Sequence, residues 1–177
     1  MNKRTLSKIT VLAMICMILS CNTTTPDQYF DIAVLNSNLI AGFANRGDFQ
    51  QMETPPSVLK KDNTVGPQSR TEFVETKIQI IEGALEKIKA LSEDEETKPM
   101  KQASVALYEY ALPVYKNEYT ALAKKYDSGA TQEEVEKDMI AIHDQHFEKF
   151  DALYTKLTEI GKAYADKYGI KVNWGSH

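Results

Sequence analysis

His143, Asp144 and His146 form the cluster in this chain whose side chains are best suited to chemistry. On a helix, imidazoles at i and i+3 share one side and are able to ligate one zinc or iron ion, with further ligands supplied by a neighbouring helix. The Glu-x-x-His pair of di-iron helical proteins is missing, since Ile140 stands three residues before His143 and His143 three before His146. The other reading places His146 on an apolar seam, hydrogen-bonded inside the protein, with His143 at its edge. Tyr108, Tyr115, Tyr119 and Tyr126 form a second constellation. At roughly 100° per residue all four fall within about 40° of one line. Tyrosine joins an apolar body to a polar tip, which suits either the edge of a core or a binding face for protein or carbohydrate. Gly42 and Gly47 have the spacing of a phosphate loop, but Asp48 stands where lysine is required. Arg46-Gly47-Asp48 spells an integrin-type adhesion tripeptide at an expected helix end, where it would be exposed. No G-x-S-x-G or H-E-x-x-H pattern occurs, so no catalytic residue is assigned and no cofactor is expected.

Cysteine chemistry concentrates at the amino terminus. Residues 1–21 begin with Lys3, Arg4 and Lys8, continue through an apolar stretch from Ile9 to Leu19, and end Ser20-Cys21. That is the anatomy of a secretory signal. As a helix the apolar stretch reaches about 16 Å, half of a hydrocarbon core of roughly 30 Å. Ile18-Leu19-Ser20-Cys21 resembles the lipobox of bacterial lipoproteins. The resemblance implies cleavage after Ser20 and a diacylglyceryl group on the Cys21 sulfur. Cys16 would leave with residues 1–20, so Cys21 is the single mature thiol and an internal disulfide is excluded. Of 21 basic side chains, losing Lys3, Arg4 and Lys8 leaves 18 against 25 acids, a charge of −7. Such an exterior disfavours nucleic acid. The expected partner is the membrane itself, through lipidated Cys21, together with an envelope protein or glycan not yet identified.

Residues 21–25 read as a lipidated polar tether, and 26–177 as one domain that must position the candidate residues. Thr25-Pro26-Asp27-Gln28 opens a first helix with Tyr29, Ile32, Leu35, Leu39 and Phe43 on one face, closing at Gly47. Residues 48–68 hold Pro55-Pro56 and Gly66-Pro67 and read as a long loop, with Val58 and Leu59 available to cover apolar surface. Ser69-x-x-Glu72 caps a second helix, which ends before the acidic run Glu93 to Glu96. A third runs from Pro99 to Ser128-Gly129, with a kink expected over Glu109 to Pro113. Thr131-x-x-Glu134 caps a fourth, with an apolar seam from Val135 to Tyr164, a bend permitted at Gly161 and a stop at Gly169. The expected fold is all-α: an antiparallel four-helix bundle with a long loop between helices 1 and 2. Ile170 to Trp174 alternates as an extended tail.

With its lipobox, capped helices and closing stretch Phe147 to Ile170, the chain is similar to uncharacterised helical surface lipoproteins of Bacteroidetes and spirochaetes. The resemblance implies a membrane-tethered bundle and transfers no catalytic residue. The functional expectation is a non-enzymatic binding module of the bacterial envelope. The alternatives are a metal-binding protein or metal-dependent enzyme using His143 and His146, and a purely structural envelope protein.

Overall fold

The computed structural model describes residues 24–174. The signal segment, Cys21 and most of the tether lie outside the described residues, as do 175–177. The chain is predominantly helical and carries one small antiparallel sheet. In order come α1 (Pro26–Ala33), a 3-10 helix (Leu35–Ile40), α2 (Arg46–Glu53), β1 (Ser57–Leu59), β2 (Val65–Pro67), α3 (Arg70–Ala90), α4 (Lys98–Val114), a π-helical turn (Tyr115–Tyr119), α5 (Thr120–Asp127) and α6 (Gln132–Tyr168). No described helix is long and apolar enough to cross a membrane.

Local chemistry explains the helix starts. Thr25, Ser69 and Thr131 each accept from the amide three residues on, and Gln28, Glu72 and Glu134 bond back to the cap amides. Two of the four orphan donors at each start are thus satisfied within the chain. Gly169 closes α6 in the left-handed conformation at φ 67°. The acidic run forms the turn between α3 and α4, where Asp94 Oδ1 accepts from the Glu96 and Thr97 amides. α4 packs between α3 and α6, while α1 crosses α3 and α6 near the carboxyl end of α6.

The first helix ends much sooner than its apolar period suggests. After Ala33 the Ser37 amide bonds the Val34 carbonyl, and the Asn36 amide group bonds the Ile32 carbonyl at 3.2 Å. Asn and Ser compete for backbone groups in this way and tighten the turn. The 3-10 segment leaves Leu39 38% exposed, although Phe43 still reaches the core. Residues 48–68 are likewise not a plain loop. Asn45 caps α2, so Gly47 lies in its first turn instead of ending a helix. The strands pair Ser57 with Pro67 and Leu59 with Val65, joined through Asn63 at φ 63°. Leu59 is 69% exposed and covers nothing.

Just after Pro113, where a kink is expected, the helix passes into the π-turn. Pro113 offers no amide to the Glu109 carbonyl, and the hydrogen-bond register resettles at Tyr115–Tyr119. The Tyr115 carbonyl accepts from both the backbone amide and the Oγ1 hydroxyl of Thr120. Gly161 is a close-approach position on α6, without positive φ: a Cβ there would lie 2.8 Å from Val34 Cγ1. It seats the 3-10 segment against α6, and Trp174 covers Phe30 beside it at 5.9 Å, edge to face.

Candidate functional site

Three of the tyrosines expected on a stripe are core residues. Tyr108, Tyr115 and Tyr119 are at most 1% exposed, and only Tyr126 reaches partly to solvent. They therefore present no continuous face to a ligand. Tyr108 donates to the Asn36 carbonyl at 2.6 Å, fixing the 3-10 segment. Tyr126 lies under the Arg70 guanidinium, 4.5 Å from its ring centre.

The π-turn directs three polar side chains inward or across to neighbouring elements. Tyr115 donates a short hydrogen bond to Asp48 Oδ2, while Asp48 Oδ1 lies 3.0 Å from Lys77 Nζ. Asp48 is 3% exposed, so the Arg46-Gly47-Asp48 tripeptide is folded inward and does not display its carboxylate. A buried charge requires such partners, and Lys77 and Tyr115 supply them from α3 and the π-turn. Tyr119 accepts from the Ala44 amide at 2.7 Å. Burial, together with the Asp48 charge, holds both phenols well above the ordinary tyrosine range, so they remain neutral donors and acceptors.

Glu118 leaves the same turn toward α6. Its carboxylate accepts from His146 Nε2 at 2.8 Å, and His146 Nδ1 accepts from the Tyr110 hydroxyl at 3.0 Å. Both nitrogens of His146 are therefore occupied within the fold, as the seam reading expects. Burial raises the Tyr110 hydroxyl, with the Glu118 charge adding to it.

His143 turns elsewhere. Its Nδ1–H donates to the Ala44 carbonyl at 2.8 Å, and its ring stacks on Phe147 at 4.8 Å. Bonding one ring nitrogen to a carbonyl assigns the tautomer and leaves Nε2 as an acceptor. The two histidines thus hold different partners. Among the described residues no group of three or more His, Cys, Asp or Glu side chains is arranged to hold a metal ion. Ala44 is the hinge of this arrangement: a non-glycine residue at φ 50°, fixed by Tyr119 through its amide and by His143 through its carbonyl. Left-handed backbone at alanine carries strain and persists where the surroundings over-determine it.

His143 lines a surface concavity of about 590 Å³ between α2 and α6. Arg46, Phe49 and Glu53 form one wall; Met139, Ile140 and Asp144 form the other beside His143. A second, about 410 Å³, follows α6 onward past Phe147, Asp151 and Tyr154 to Lys162, with Asn45 opposite. The sequence singled out His143 and Asp144 of this site but not its remaining lining, much of which lies on the polar side of α6. The available signal was Phe147 and Tyr154, two aromatics outside the apolar seam. Comparison with protein-family models, with characterised proteins and with solved structures finds no match to the chain.

Proposed function

We propose that this chain is a lipid-anchored, non-enzymatic binding module of a bacterial cell envelope, folded as an elaborated four-helix bundle. The observation that carries the reading is Ile18-Leu19-Ser20-Cys21, placed directly behind a basic start and an apolar stretch too short to span a bilayer. Two or more acyl chains at about 0.8 kcal/mol per buried CH₂ hold a chain stably where one does not. Only residues 22–25 separate Cys21 from the first helix at Pro26, which keeps the domain close to the bilayer. α1, α3, the α4 to α5 run and α6 supply the four helical layers; α2 and the hairpin occupy the connection between the first two. The binding role rests on the α2–α6 concavity, where a backbone carbonyl orients His143 and leaves Nε2 open to a ligand. Fractionation of cells expressing the wild type and Cys21→Ala tests the anchor. Wild type is expected in the membrane pellet and Cys21→Ala in the soluble fraction. A Cys21→Ala chain that stays in the pellet through a high-salt wash contradicts the proposal.

A further inference from the structure

The two concavities are lined by one continuous strip of α6. Ile140, Asp144, Phe147, Asp151 and Thr158 fall within about 30° of a common line, and from Ile140 to Lys162 the helix advances about 33 Å. Asn45 lines one concavity and Arg46 the other, so the cap and first residue of α2 form a shared wall. Apolar rings and polar groups alternate along the strip. Phe147 and Tyr154 on α6, with Phe49 facing them from α2, line it with rings, and Asp144, Asp151 and Thr155 line it with oxygens.

Carboxylates outnumber cations along the strip, and Asn45, Gln50, Thr155 and Thr158 add groups that both donate and accept. Four carboxylates, Glu53, Asp144, Asp151 and Glu159, stand against two cations, Arg46 and Lys162. None of the four carboxylates is in an ion pair among the described residues. Carboxylate oxygens only accept, and so does His143 Nε2 in the tautomer its Ala44 bond assigns. A matching ligand carries many groups that both donate and accept, is not acidic, and has flat apolar faces at intervals. A partner helix fits poorly, because charges interrupt the midline and no apolar seam exists for its ridge.

We propose that this strip binds an oligosaccharide of neutral or amino sugars, with pyranose faces resting on the rings and hydroxyl groups donating to the carboxylates and His143. The proposal rests on the binding-module reading and names its ligand class. The test is calorimetric titration of the full chain in detergent with hexasaccharide panels built from neutral hexoses, from amino hexoses and from hexuronic acids, and with a lysine-containing peptide of similar extended length. Members of the first two panels are expected to bind. Phe147→Ala and Asp151→Asn should each weaken that binding by about tenfold, equal to 1.4 kcal/mol. Lys156→Gln, on the opposite side of α6, should leave it unchanged. Unaltered circular dichroism of each variant shows that a loss belongs to the strip and not to folding. Binding of hexuronates alone, of the peptide alone or of nothing overturns the proposal, as does sugar binding indifferent to both strip variants. Membrane fractionation reads the anchor separately, so failure of the ligand class leaves the anchoring result to stand or fall by itself.

Discussion

At residue scale, two positions carry more of the fold than their types suggest. Gly161→Ala places a methyl group 2.8 Å from Val34 Cγ1, within a packed contact that also includes Phe30. Overpacking of this kind costs about 1–3 kcal/mol, so the urea midpoint should fall. Val34→Ala in the same chain should recover part of that loss, because neighbouring substitutions couple. Asp48→Ala leaves Lys77 and Tyr115 without their shared carboxylate. Breaking a buried pair by removing one partner costs about 3–5 kcal/mol, and thermal melts should show the largest single loss here. Asp48 was legible in the sequence only as part of a tripeptide and as the residue that rules out a phosphate loop. Its burial depends on Lys77, 29 residues away, and Tyr115, 67 residues away, and local pattern does not encode pairings at that distance.

At element scale, the helix starts were legible because each cap and its partner stand three residues apart in the chain. Thr131→Ala should cost about 1 kcal/mol by denaturation, since it frees a donor at the start of the longest helix. The hairpin was not legible: strands of three residues give no period, and the turn depends on Asn63 adopting a positive φ. α2 was hidden for a similar reason, being eight residues long and following the early break at Val34. Pro113 marked an irregularity, but only the folded chain shows that the resulting π-turn directs Tyr115, Glu118 and Tyr119 to three different partners. Tyr119→Phe separates that turn from Ala44, leaving a buried amide unsatisfied at a cost of about 1–3 kcal/mol. It should also loosen the groove wall, read as faster amide exchange across residues 41–47 while α6 stays protected.

At the scale of the molecule, the buried phenols set an upper pH limit. Tyr108, Tyr115 and Tyr119 are raised above the ordinary value of 10, and burial pushes Tyr164 up to about 12. Above pH 10 the unfolded chain loses these protons while the folded chain keeps them. The unfolded state then binds fewer protons, so stability is full below pH 10 and falls as pH rises. Ultraviolet titration should show some of the nine tyrosines ionising early and the buried group only together with loss of helical circular dichroism.

The amino-terminal end of the described domain packs beside the carboxyl end of α6, where Tyr29 meets Tyr164. A lipid at Cys21 would hold that end at the bilayer, with the α6 strip running away from it and accessible along its length. The envelope placement proposed for this chain therefore depends on the anchor. The direct measurement is metabolic labelling with an alkyne palmitate, followed by mass analysis of the amino-terminal peptide, in wild type and Cys21→Ala. The wild type should begin at a cysteine carrying the labelled lipid, and Cys21→Ala should carry no label. A wild-type mature chain that begins elsewhere, or that begins at Cys21 with a free thiol, would contradict the anchored module.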